Sequence, residues 1–436
     1  MSSNHNSPLR SSTKITGAAT PAVTPQRLGE GRTITAAKYP DATVERVHQL
    51  QTADGAQLQG VLRTIPDART VVCLMHPRAD VTHHALVPLL LRTGVAVWTQ
   101  QPRSVNNDIS LVHEQTLLDV AAGNEFLRDC GFESVVALGH SGGGTLYAFY
   151  SEQAGLPPEQ RIAKTPSGRP INLAEASMPE FDGIVFWAPH PGQGQLLLRC
   201  IDPSVTDESD PLSIDPDLYA FNPANGFIEP PQSSTYAADF IERYTHAQHE
   251  RVARIDEVAR QYVAEAIAAR QAFAQSSDPL DRRRALVPRI ITVYRTDADL
   301  RTVDLSLDPN DRPYGSVFGR RPDLINHGMV GFGRLCTPDS WLSTWSGLSS
   351  NADFVRCAPG VRIPALFVEL TGDQAAFPSV SARMRDALGS MDMTNRRVRG
   401  THFGGAINPG EPLGSDLTAE VVAEWLNERF ALVPPA

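Results

Sequence analysis

The chain is short of the features that mark several functional classes. Its five cysteines (Cys73, Cys130, Cys200, Cys336 and Cys357) show no C-x-x-C spacing, and an odd number leaves no complete disulfide framework. A reducing, cytoplasmic compartment is therefore expected. No apolar run reaches the roughly 18–20 residues of a membrane span. The amino-terminal stretch, rich in Ser, Thr and Pro, also lacks the apolar segment of a secretory signal. Basic residues gather only in clusters as short as Arg282-Arg283-Arg284, in a chain of formal net charge −10, which argues against a nucleic-acid surface. Neither H-E-x-x-H nor G-x-x-x-x-G-K-[ST] occurs, so neither a catalytic metal nor a bound nucleotide is expected. There is no internal repeat and no strict heptad.

What is present suffices for a large globular core. With 41% hydrophobic and 20% charged residues the composition is ordinary for a folded protein. At 436 residues, one large domain with a substantial insertion, or two domains, is expected. Residues 1–40 read as a flexible extension. From residue 41 onward, "VERVHQLQTADGAQLQGVLRT" reads as two strands joined at Asp54-Gly55.

Strand then alternates with helix. "TVVCLM" is a buried strand, a helix follows as far as Gly94, and "VAVWTQ" is the next strand. A helix within "HEQTLLDVAAGNEFLRDC" aligns Leu118, Ala122, Phe126 and Cys130 at i+4 spacing. Val135–Leu138 and Ile184–Ala188 supply two further strands. The alternation stops near Pro189 and resumes near Arg362 with "IPALFVEL", a short "RRVRG" and a closing helix from about Thr418. Such alternation predicts a mostly parallel sheet covered by helices on both faces.

Residues 191–359 are different. They hold an acidic loop, "DPSVTDESDPLSIDPD", and then the longest helical pattern in the chain, "YAADFIERYTHAQHERVARIDEVARQYVAEAIAARQAFAQ". That pattern has no Pro or Gly and places Val252, Ile255, Val258, Tyr262 and Ile267 on a stripe. It is either one long helix or a pair broken near His246. "RIITVYRT" and "LRTVDLSL" read as strands. The long helix, like the N-terminal arm, is a candidate contact for a homo-oligomer.

The chemistry centres on "VVALGHSGGGTL". Gly139-His140-Ser141-Gly142-Gly143 fits G-x-S-x-G, a sharp strand-to-helix turn that exposes a serine hydroxyl at the carboxyl end of a sheet. In this the chain resembles the α/β-hydrolase superfamily, whose triad runs Ser, Asp or Glu, then His. The resemblance covers residues 41–190 and 360–436 and makes residues 191–359 a large, mainly helical cap. It implies Ser141 as nucleophile, Asp373 after "IPALFVELTG" as the acid, and His402 in "RRVRGTHFGG" as the base; Glu369 at the strand end is the alternative acid. It also implies an oxyanion hole from the Gly142 N–H and one from "HPRA", where Pro77 has no N–H and Arg78 is the expected donor.

Six further residues are candidates for substrate contact. His83 and His84 lie after the oxyanion loop, Trp187 and His190 where the cap begins, and Trp341 and Trp345 at helical spacing within it. The reading is a serine hydrolase acting without cofactor or metal on an apolar small-molecule ester or lactone. The same triad also serves acyl transfer or C–C bond hydrolysis, and a non-catalytic ligand-binding protein on this fold is the remaining alternative.

Overall fold

A computed structural model describes residues 38–433, so all but the last three residues of the expected N-terminal extension lie outside the described range. Eight strands form one sheet: β1 (Val44–Gln51), β2 (Gln57–Thr64), β3 (Thr70–Met75), β4 (Ala96–Gln100), β5 (Ser134–His140), β6 (Gly183–Trp187), β7 (Ala365–Gly372) and β8 (Met393–Thr401). Their spatial order is β1-β2-β4-β3-β5-β6-β7-β8, parallel except for β2, which runs against both neighbours. The hairpin turns at Asp54-Gly55, where Gly55 takes φ +85°, a value open to glycine at little cost.

The central strands are apolar without alternation because both faces are covered. Every residue of β3, β4 and β6 is buried. On one face lie α2 (His113–Asp129) and α3 (Gly142–Ala154), packing Leu117, Leu146 and Phe149 against Val71, Ala137 and Phe186. On the other lie α1 (Val87–Arg92) and the closing helix (Gly414–Asn427), packing Leu90, Val422 and Trp425 against Val72, Val136 and Val185. The buried side of α2 differs from the expected i+4 series. It runs through Leu117, Leu118, Val120, Ala121 and Leu127, whereas Ala122 and Phe126 are half-buried and Cys130 is an exposed cap residue.

Between β6 and β7 the chain leaves the sheet. It forms α4 (Gln193–Cys200), a long irregular stretch, and then α5 (Ala238–Ser276) and α6 (Pro279–Leu286), which are only two residues apart. α5 is one unbroken helix of 39 residues, ~58 Å at 1.5 Å per residue, with no break at His246. Arg251 fastens its middle by donating to Glu208 and to the carbonyls of Asp202 and Tyr294. Only the first half of the expected stripe is covered: Val252 and Ile255 are buried, but Val258 and Ile267 are 40% and 44% exposed.

The two strands expected after α6 are largely absent. Only Ile291–Thr292 pairs, with Leu335–Cys336. Arg295 then turns the chain at φ +55°, and the Asp299 carboxylate caps the short turn Leu300–Thr302 by accepting the Arg301 N–H. Local polar capping wins here over a β-like apolar pattern.

Candidate active site

The loop ends of β3, β5, β6, β7 and β8 meet at one edge of the sheet. At the end of β5, Ser141 takes φ +54° and ψ −122°, a conformation that costs a non-glycine residue of order 1–3 kcal/mol. Neighbouring glycines make the turn possible. A methyl at Gly139 would lie 2.6 Å from the Gly143 carbonyl oxygen, and one at Gly143 would lie 2.5 Å from that of Met75. The elbow is tied across the sheet by Ser141 N–H to Trp187 O and His190 N–H to Ser141 O, both 3.3 Å.

His402, in the loop after β8, reaches Ser141 Oγ with Nε2 at 3.0 Å. Its Nδ1 lies 2.9 and 3.0 Å from the two oxygens of Asp373, so Nδ1–H donates to the carboxylate and Nε2 is left to accept from the serine. Asp373 Oδ1 also accepts the N–H groups of Ala375 and Ala376 at 2.7 and 2.9 Å, and Asn310 donates to the Asp373 carbonyl at 2.8 Å. The acid and the imidazole are buried. Glu369 is not at this site; on β7 it accepts from Arg397 of β8 at 3.1 Å.

A chain of imidazoles holds the histidine loop from behind. His140 Nε2–H donates to the His402 carbonyl at 2.9 Å, which in the neutral ring leaves Nδ1 to accept from His84 Nε2 at 3.0 Å. His84 Nδ1 accepts the Leu86 N–H at 3.3 Å. Trp187, fully buried, lies under His140 with ring centroids 4.3 Å apart. His84 is therefore tied into the scaffold of the histidine loop, while His83 is exposed at the rim of the same cavity.

The oxyanion side departs from expectation. Gly142 is the first residue of α3, so its N–H has no acceptor within the helix. The Arg78 N–H, however, turns away to His76 Nδ1 at 3.1 Å, alongside that of Ala79 at 3.0 Å. Arg78 itself spans Asp108 with its guanidinium and lies over Trp345, 5.1 Å from the ring centre. The His76 imidazole thus takes both N–H groups that follow Pro77, and Arg78 is a wall residue of the cavity in place of a backbone donor.

Next to Gly142 stand three side-chain nitrogens, of which the sequence announces only that of His190. A methyl there would lie 2.2 Å from Gln193 Nε2, 2.9 Å from His76 Nε2 and 3.0 Å from His190 Nε2. His190 lies inside the site, not at its mouth: burial holds its pKa down to about 3, and its Nδ1 accepts the Gly192 N–H at 3.0 Å, so Nε2 carries the proton. Gln193 opens α4 and owes its place to the turn "HPGQG". Only glycine at 142 leaves room for it.

Trp341 and Trp345 are buried in the interior of the insertion and do not line the cavities at the serine. Trp341 donates to Asp256 of α5 at 2.7 Å, which serves packing. Among the described residues no cluster of His, Cys, Asp and Glu is arranged to hold a metal, and no helix is long and apolar enough to cross a membrane.

No protein-family model matches the chain, and no curated protein does. Among solved structures it is similar to the alpha/beta hydrolase GrgF from Penicillium sp. sh18, at 10% identity and TM-score 0.47, covering 89% of this chain and 100% of that one. It is similar also to DcsB in complex with its substrate analogue, at 11% identity and TM-score 0.45, covering 88% and 100%. An esterase of Pyrococcus furiosus matches at 10% identity and TM-score 0.42, covering 92% and 100%. The strand order, the single antiparallel strand β2 and the serine elbow at the end of β5 together define the architecture: the chain has the α/β-hydrolase fold.

Proposed function

We propose that the protein is a serine hydrolase of carboxylic esters, open-chain or cyclic, working through an acyl-enzyme. The observation that carries this is His402 held between Asp373 and Ser141 at hydrogen-bond distance on both sides. As the Ser141 oxygen attacks the ester carbonyl, His402 Nε2 takes its proton, and Asp373 stabilises the resulting imidazolium. Gly142 N–H faces the developing oxyanion, with Gln193 and His190 beside it. His402 then returns the proton to the departing alkoxide. Water repeats the sequence on the acyl-enzyme, releasing the acid and restoring the serine. This chemistry needs no cofactor. Residues 191–359 act in it as the cap that closes one side of the site.

The test is a fluorophosphonate probe on the wild type and on Ser141→Ala, followed by peptide mapping and an ester and lactone panel. Labelling confined to the Ser141 peptide and lost in the variant, with free acid as the product, is expected. A folded wild-type protein that neither labels nor turns over any ester overturns the proposal. Acyl transfer replaces hydrolysis if added alcohol or amine captures the acyl group in preference to water.

A further inference from the structure

The serine stands between two cavities of unequal size. One, of about 250 Å³, is floored by Leu74, Leu138 and Trp187 from the sheet, and His402 is not in its wall. The other, of about 540 Å³, has His402 in its wall with Gln193, Leu196, Phe318 and Phe332. The first is built from the sheet and its adjoining loops; the far wall of the second belongs to the insertion.

The chemistry assigns them. His402 Nε2 must return its proton to the leaving oxygen, which therefore lies within about 2.6–3.2 Å of that nitrogen in the reacting complex. The group borne by that oxygen extends into the chamber His402 lines. The acyl carbon is bonded to Ser141 Oγ, and its chain takes the remaining direction, over Leu138 and Trp187. The alcohol chamber has roughly twice the volume of the acyl chamber and takes the larger half of the ester.

The walls add chemistry to size. Phe318 and Phe332 pack against each other in this wall, centroids 4.7 Å apart and planes tilted by 56°, and together give an apolar aromatic surface to the larger chamber. Polar groups line the same chamber: Gln193 at the serine end, then Asn106 and the Arg78–Asp108 ion pair. We propose that the substrate is an ester of a short or medium acyl group with a bulky aromatic or polycyclic alcohol, and that the insertion selects the alcohol. This rests on the ester-hydrolase reading. It excludes as good substrates both long-chain acyl esters and small-alcohol esters of polycyclic acids.

Two esters with the same halves and the carbonyl reversed separate the cases: pyren-1-ylmethyl butanoate and propyl pyren-1-ylacetate. With each kcat/KM divided by the ester's rate constant for alkaline hydrolysis, the first is expected to exceed the second by tenfold or more. In a series of pyren-1-ylmethyl esters, kcat/KM should fall as the acyl group lengthens from butanoyl to hexadecanoyl. Val317 stands beside Phe318 in the wall of the larger chamber, and Val317→Trp should lower the kcat/KM of pyren-1-ylmethyl butanoate relative to that of methyl butanoate at least threefold. Should that variant not fold, Phe332→Ala is expected to shift the ratio of the same two substrates at least threefold.

Equal or reversed preference between the two pyrenyl esters overturns the inference. So does turnover of p-nitrophenyl butanoate with neither pyrenyl ester accepted; in both cases the hydrolase reading stands. Absence of Ser141 labelling and of all ester turnover removes that reading itself, and the inference with it.

Discussion

The sheet and the insertion hold themselves together by different means. Around β3, β5 and β6 the interior is aliphatic and aromatic, with Val71, Val72, Val136, Ile184 and Phe186 fully buried. In the insertion, apolar clusters around Val252, Ile255 and Trp345 and around Phe227 and Tyr244 are joined by buried charges. Arg251 and Arg295 lie inside with Asp202, whose carboxylate accepts from Ser204 and from Asn326 at 2.7 to 2.9 Å and stands 3.7 Å from Arg295 Nε. An apolar interior is insensitive to pH and tolerant of exchange among similar side chains. An ionic interior fixes one arrangement of long loops, at the cost of desolvating each charge, and fails when one partner is lost.

The largest effects belong to the sheet side. Replacing Asp373 by Asn removes the charge that holds His402 and is expected to lower kcat about 10⁴-fold. Replacing Glu369 by Gln, an acid of the same strand, should change kcat less than twofold, since its partner is Arg397. Steady-state kinetics on any turned-over ester, with circular dichroism to confirm folding, decide between them. Equal losses in the two variants would break the assignment of the acid.

The same contrast explains what the sequence shows and what it hides. Strands buried on both faces leave uninterrupted runs such as "TVVCLM" and "GIVFW", and the elbow needs glycine at fixed spacing, so sheet and elbow serine are both visible in the residues. The α/β-hydrolase resemblance, which orders serine, acid and histidine, points to His402 and to Asp373 or Glu369, and the geometry brings Asp373 to His402. The insertion resists reading because its order depends on distant pairs, such as Arg251 with Glu208, that leave no period. Thus "LRTVDLSL" has an extended pattern yet folds as a capped turn around Asp299. The Arg78 expectation fails for a related reason: backbone direction after Pro77 is set by the His76 imidazole, a tertiary detail. Gln193 is hidden because its position depends on the absence of a side chain 51 residues earlier in the chain.

Two stability measurements sharpen the comparison. Asp202→Ala strands Arg295 in the interior and is expected to cost about 3–5 kcal/mol in urea unfolding. A loss below about 1 kcal/mol would mean that the ionic interior is incidental. Asp297 is the second. Burial pushes its carboxyl pKa up to about 7, against an unfolded value near 3.8, while Ser316 donates to it at 2.9 Å.

The native state therefore holds the Asp297 proton more tightly than the unfolded chain does. Its penalty is absent below about pH 4, grows as pH rises, and is complete above about pH 7. Asp297→Asn keeps an acceptor for Ser316 and removes the titration. Relative to wild type it should gain roughly 2–4 kcal/mol between pH 4 and pH 8, read from unfolding at both pH values. A pH-independent difference between the two proteins would show that this carboxyl does not titrate in the folded state.

The smallest effect is expected where the two regions touch. Gly142 belongs to the elbow and Gln193 to the first helix of the insertion, and a methyl on the first would overlap the amide of the second at 2.2 Å. The amide ends a flexible side chain, so Gly142→Ala should displace it without unfolding the turn, lowering kcat/KM about tenfold, or ~1.4 kcal/mol. Gln193→Ala removes the obstacle as well as the amide. If the loss in Gly142→Ala is steric, adding Gln193→Ala should cost nothing further, and the double variant should match Gln193→Ala alone within about threefold. Multiplicative losses in the double variant would mean that the two residues act independently, and that the insertion meets the elbow by contact alone, without shaping the space beside the serine.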